Sequence, residues 1–147
     1  MSVYLDYNAS APIDERVLEV MIDVYKNAIG NADSRTHNFG ENARKIVENA
    51  REQIASLLNV DKGEVFFTSG STESNNIAIQ GLKEYALKTG KTHIITTTIE
   101  HKSVLETAKY MQRNGFTVDS VPPEPSGRVN EQALFDKIQK DTLLVSV

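Results

Sequence analysis

Apolar positions along this chain recur first at helical spacing and then in a regular alternation of short runs and helical faces. Val17, Met21 and Val24 are four and three residues apart, which predicts a helix over about residues 13–27 that stops near Gly30. Ala43, Val47, Ala50, Ile54 and Leu57, broadened by Ile46 and Leu58, predict a long amphipathic helix with Glu41, Lys45, Glu48 and Glu52 on its wet side. Between the two lies a polar loop, residues 31–38. Before them, Val3–Tyr7 alternates like a short strand until Asn8-Ala9-Ser10-Ala11-Pro12 breaks it.

From Glu64 the period switches repeatedly. The pattern predicts strands at Val65–Thr68, Ile94–Thr98, Phe116–Val121 and Leu143–Val147. Helices are predicted from Thr72 to about Lys88, from about Ser103 to Arg113, and after a cap near Asn130, with Leu134 and Ile138 inward. Strands alternating with helices imply an α/β fold, a mostly parallel sheet with flanking helices. Ligands of such sheets bind at the carboxyl ends of the strands, where Gly70 and His101 are both expected. The last apolar run invites a further crossover, so the chain reads as the first part of something larger.

Composition narrows the functional classes. At 147 residues, 39% apolar and 24% charged, the chain suits a globular domain with a core. Sixteen basic and twenty acidic residues give a net charge of -4 without a basic block, which argues against direct nucleic-acid binding. There is no cysteine, so disulfides, thiolate metal sites and a thiol nucleophile are excluded within these residues. No apolar run suits a membrane span and no signal sequence is evident, so the expected location is cytoplasmic.

Two stretches could carry chemistry. In Phe66-Phe67-Thr68-Ser69-Gly70-Ser71-Thr72-Glu73, a glycine turn meets the start of a helix. The open amides and the positive end of that helix, with the Ser71 and Thr72 hydroxyls, would hold a phosphate. The alternative is that the hydroxyls merely cap the helix. His101 follows a strand and opens another helix, so it either caps that helix or offers its ring for stacking and proton transfer. His93 reads as structural, and His37 as a ligand contact only if its loop folds over the sheet edge. No metal-ligand spacing, Walker loop, Rossmann fingerprint or G-x-S-x-G setting is present.

Four ordered motifs carry a resemblance: Leu5-Asp6-Tyr7-Asn8-Ala9, the run from Asn31 through His37 to Gly40, Thr68-Ser69-Gly70-Ser71-Thr72-Glu73-Ser74-Asn75-Asn76, and Glu100-His101-Lys102-Ser103-Val104. Together they resemble the pyridoxal-phosphate-dependent cysteine desulfurases of the NifS/IscS type, in the class V aminotransferase family of fold type I. The resemblance implies that Gly70, Ser71 and Thr72 bind the phosphate of pyridoxal 5'-phosphate, and that His101 stacks on its ring and is catalytic. The wide spacing of the three histidines leaves no metal site expected. The resemblance also implies L-cysteine as substrate, a sulfur-acceptor or iron-sulfur scaffold protein as partner, and a homodimer when full length. Residues 1–15 then correspond to an N-terminal arm or small-domain segment, and 16–147 to an incomplete cofactor-binding large domain.

Lys102 aligns beside the stacking histidine rather than with the family's Schiff-base lysine. That lysine, the catalytic cysteine, the acidic partner of the pyridine nitrogen and the carboxylate-binding arginine belong to family segments beyond these residues. Asn31-Ala32 stands where the family usually has Asn-Pro. Other readings are a non-catalytic module that binds a phosphorylated ligand or a partner chain, and a selenocysteine lyase or aminotransferase of the same family.

Overall fold

Five consecutive buried residues make β1 (His93–Thr97), the strand on which the sheet is built. It pairs in parallel with β2 (Thr117–Val121) on one side and β3 (Thr142–Val145) on the other, in the order β2-β1-β3. The structure is a computed structural model and describes residues 3–147. It divides into two compact units, one ending at Phe66 and the other running Phe67–Val147.

The second unit is the expected α/β arrangement. A parallel strand cannot return through a tight turn, so α5 (Lys102–Arg113) carries the chain from β1 to β2, and α6 (Glu131–Phe135) carries it on to β3. Because β1 is central, its successive side chains enter two separate cores. Ile94 packs with Ile79, Ala86, Val104, Met111 and Phe116, while Ile95 packs with Val121 and Leu134. Ile79 belongs to α3 (Ser71–Gly81) and Ala86 to α4 (Lys83–Thr89). Met111 is fully buried in the first core, and truncating such a side chain to Ala costs about 2–5 kcal/mol.

Several expectations are met closely. Asn130 caps α6, its side chain accepting the Ala133 N–H at 3.1 Å, and Leu134 is buried. Others are corrected. The helix expected from Thr72 to Lys88 is two helices that part at Leu82, just after Gly81, whose backbone loses the most freedom in a helix. Val65–Thr68 is not a strand. The only sheet among the described residues has three strands, none of them this one, and Phe66 is 77% exposed, so its aromatic and β-branched composition has no sheet surface to fill. Gly70 therefore does not follow a strand end, whereas His101 follows β1 as expected. Ile138 lies beyond α6 and is exposed.

The first unit holds α1 (Glu15–Asn27), α2 (Asn38–Leu58) and a 3-10 turn at Lys62–Glu64. Asp14 caps α1 through the Arg16 N–H at 3.0 Å. The apolar face of α1 forms at the predicted period, yet no residue of that helix is buried. Residues 3–7 form no strand; the segment turns at Asp6, whose carbonyl accepts the Ala9 N–H at 3.1 Å. The polar loop lies against α2. Arg44 donates to the carbonyls of Ala32 at 2.9 Å and Ser34 at 2.8 Å, and a Cβ on Gly40 would strike the Ser34 carbonyl. The guanidinium of Arg51 donates to the Val65 carbonyl.

Candidate functional site

The second unit contains two helix starts that the sequence marks for chemistry, and they are built in opposite ways. At α3 the residue that opens the helix is Gly70, with φ 158° and ψ 179°, a conformation nearly restricted to glycine. No side chain caps this end. The expectation that Ser71 or Thr72 caps the helix is thus corrected, because both lie inside its first turn. The amides of that turn have no intrahelical acceptor, and neither hydroxyl has a hydrogen-bond partner among the described residues. A Cβ built on Gly70 would meet no atom within 4 Å, so the approach is open.

The loop before α3 is braced from its other side. Oε2 of Glu73 accepts both the Ser69 N–H and the Ser69 hydroxyl at 2.7 Å. The backbone bond first, then the hydroxyl bond, holds the Glu73 carboxyl below the usual carboxylate range. The Thr68 and Ser74 hydroxyls meet at 2.7 Å, and the Thr68 hydroxyl also donates to the Gly70 carbonyl at 3.2 Å. Every polar side chain from Thr68 to Ser74 except Ser71 and Thr72 is thus engaged within the loop.

At α5 the end is closed by a histidine. His101 is the N-cap, its Nδ1 accepting the Ser103 N–H at 3.1 Å, so the capping role left open by the sequence is realised. The Ser103 hydroxyl lies 2.8 Å from the same nitrogen, and Nδ2 of Asn75 donates to that hydroxyl oxygen at 2.8 Å. Ser103 is buried while the His101 residue is exposed. Asn75 stands one turn beyond Ser71 on α3, and α3 packs against α5, so the two helix starts are joined by a side-chain bridge.

Neither Asn75 nor Ser103 stood out as a site residue in the sequence. The available signal was spacing: Asn75 follows Ser71 by four, placing both on one helix face, and Ser103 is two residues past a capping histidine.

The other histidines are placed differently. His93 is buried at the amino end of β1, its Nδ1 2.9 Å from the Thr142 hydroxyl and its Nε2 3.6 Å from Asp119, as a structural residue would be. His37 caps α2, its Nδ1 accepting the Gly40 N–H at 3.1 Å. Among the described residues no three His, Asp or Glu side chains gather to hold a metal ion, and no helix is long and apolar enough to cross a membrane.

The Gly70 to Thr72 end suits a phosphorylated cofactor on its own chemistry. Among the described residues it offers unpaired amides, two unpaired hydroxyls, a helix dipole of the right sign and no side chain in the way.

The profile of the aminotransferase class-V family matches residues 3–147. The cysteine desulfurase IscS of Stutzerimonas stutzeri is 46% identical over 149 residues, covering 100% of this chain and 37% of its own length. The mitochondrial cysteine desulfurase of Candida albicans is 47% identical over 145 residues, covering 99% of this chain and 30% of its own. Among solved structures, a NifS-like protein superposes with a TM-score of 0.88 at 45% identity, over 99% of this chain and 39% of that one. SspA in complex with cysteine gives 0.84 at 38% identity, over 98% and 41%. The chain therefore spans between 30% and 41% of the length of these relatives. With a family profile matched from Val3 to Val147 and relatives aligned along nearly every residue, the chain belongs to the aminotransferase class-V family.

Proposed function

We propose that these residues form the phosphate-binding part of a pyridoxal-phosphate-dependent cysteine desulfurase. The observation that carries this reading is the uncapped start of α3, with the Ser71 and Thr72 hydroxyls unpaired beside open amides. An end left this way in folded protein lacks the partners that helix starts ordinarily acquire, and a phosphate supplies them. In this reading Gly70 lets the phosphate approach the backbone, and Ser71 and Thr72 donate their hydroxyl protons to it. His101 lies along the cofactor ring. Its Nδ1 is committed to the α5 cap, so any proton it moves travels through Nε2.

The cofactor, when bound, supplies an electron sink for carbanion chemistry at the substrate's α-carbon. The reaction converts L-cysteine and an enzyme thiol to L-alanine and an enzyme persulfide. The substrate C–S bond breaks, and the sulfur atom passes to the thiol. These 147 residues contain no cysteine, so on their own they do not complete the reaction, and the thiol comes from outside them. The cofactor's lysine also comes from there.

Residues 1–15 serve as an N-terminal arm or small-domain segment, and 16–147 as part of the cofactor-binding large domain. The whole protein is a cytoplasmic homodimer that delivers sulfur to an acceptor or iron-sulfur scaffold protein. The names of the relatives support the substrate: cysteine desulfurases by sequence, and a neighbour solved with cysteine.

The test is to supply the full-length protein with pyridoxal 5'-phosphate and L-cysteine and to quantify L-alanine and protein persulfide. Equimolar alanine and sulfane sulfur are expected, both lost when cofactor is omitted. Alanine production that does not depend on the cofactor, or no desulfuration by cofactor-loaded protein, contradicts the reading.

A further inference from the structure

The bridge between the two helix starts assigns two residues a positioning role. We infer that Asn75 and Ser103 form a directional hydrogen-bond relay that orients the His101 ring and ties it to the helix that carries the phosphate cup. The inference rests on the functional reading above for its catalytic meaning, but its geometry stands apart from that reading.

The direction of the relay follows from which atoms can only donate. The Ser103 amide has a proton and no lone pair to offer, so at 3.1 Å Nδ1 of His101 is its acceptor. The neutral ring therefore carries its proton on Nε2. A nitrogen without a proton cannot donate to the Ser103 hydroxyl 2.8 Å away, so the hydroxyl proton points to Nδ1. That leaves only lone pairs of Oγ for the third member, and the Asn75 carboxamide meets them with an N–H at 2.8 Å. Each link sets the next. Asn75 polarises the hydroxyl, the hydroxyl and amide together hold Nδ1, and the ring is fixed with Nε2–H as its outward donor.

Burial makes the relay effective at the serine. Ser103 is 7% exposed, so water does not readily replace either of its partners. The serine is further seated by Thr107, whose hydroxyl donates to the Ser103 carbonyl at 2.7 Å. The consequence is a coupling: any displacement of α3 reaches the ring through two hydrogen bonds, by way of Ser103.

The test is made on full-length protein with 15N-labelled histidine, comparing wild type, Ser103→Ala, Asn75→Ala and the double variant. The Nδ1 resonance of His101, assigned through its two-bond couplings, is read first without cofactor. Loss of a donor moves that resonance toward the value of an unbonded ring nitrogen. The relay requires a clear shift in Ser103→Ala, a smaller shift in the same direction in Asn75→Ala, and no added shift from Asn75→Ala once Ser103 is already Ala. With cofactor and L-cysteine, Ser103→Ala should lower kcat about tenfold, the lower end of the loss when the outer partner of a metal-bound histidine is removed, with KM nearly unchanged.

An unmoved Nδ1 resonance in either single variant overturns the relay, as does an undiminished effect of Asn75→Ala in the Ser103→Ala background. Because the resonance is read without cofactor or turnover, wild-type protein that shows the relay but no desulfuration contradicts the proposed function alone.

Discussion

The starts of α3 and α5 lie in one unit, are joined by one hydrogen-bonded bridge, and treat their backbone amides differently. At α5 the imidazole of His101 accepts the Ser103 amide, and the end is closed. At α3 the opening residue is a glycine, the Ser71 and Thr72 hydroxyls have no hydrogen-bond partner among the described residues, and no side chain caps the end. The loop before α3 is nonetheless well braced, by Glu73 on Ser69 and by Thr68 on Ser74. An unbraced open end would suggest fraying. A braced open end is what the proposed phosphate site requires, and the contrast with α5 shows that a helix start in the same unit can instead be closed by a side chain.

The largest effect expected is on the open end. Removing both hydroxyls in Ser71→Ala/Thr72→Ala takes away two bonds to a charged group at about 1.5–3 kcal/mol each, so cofactor affinity should fall a hundredfold or more. Spectroscopic titration of the full-length protein checks this, and an affinity within threefold of wild type would break the comparison. Gly70→Ala comes next. It forces a Cβ into a conformation that costs about 1–3 kcal/mol, so the loop should shift, and thermal stability and affinity should fall together.

A smaller effect separates the two ends most cleanly. His101→Ala removes a cap and should lower stability by about 0.5–2 kcal/mol even without cofactor, whereas Thr72→Ala removes no cap and should stay within about 0.5 kcal/mol of wild type. Chemical denaturation of the cofactor-free proteins measures both. Equal losses would mean that Thr72 has a structural partner after all.

The smallest expected effect is the pH response of the brace. Glu73 titrates below its usual range in the folded protein, so the unfolded chain binds its proton more readily as pH falls. Its contribution is complete above the ordinary glutamate range and disappears as pH drops through the lowered value. Stability measured across mildly to strongly acidic pH should fall less steeply in Glu73→Gln than in wild type.

What could be read in the sequence depended on how local the cause was. The β1–α5–β2 segment was legible because its apolar period and its turn residues sit within a few positions of each other, and the Asn130 cap because its partner is three residues away. The glycine that opens α3 was legible for the same reason, since it directly precedes the helix it starts. The strand expected at Val65–Thr68 was misread because β-branched and aromatic composition specifies a strand only where a neighbouring strand exists to pair with it. The split at Leu82 was missed because a single glycine lowers helix stability by an amount that packing can override in either direction. The bridge from Asn75 to Ser103 spans 28 positions and needs α3 to pack against α5, which no local spacing reveals. His101 itself was found in sequence, and its capping role was decided only by the position of the Ser103 amide, while its role toward the cofactor is a proposal.

The most direct test of the central claim compares pyridoxal 5'-phosphate with pyridoxal, which lacks the phosphate, on full-length wild type and on Ser71→Ala/Thr72→Ala. If the open start of α3 is the phosphate site, wild type should prefer the phosphorylated form by a wide margin, and the double variant should lose most of that preference while its affinity for pyridoxal barely changes. A preference that survives intact in the double variant would place the phosphate elsewhere and contradict the account.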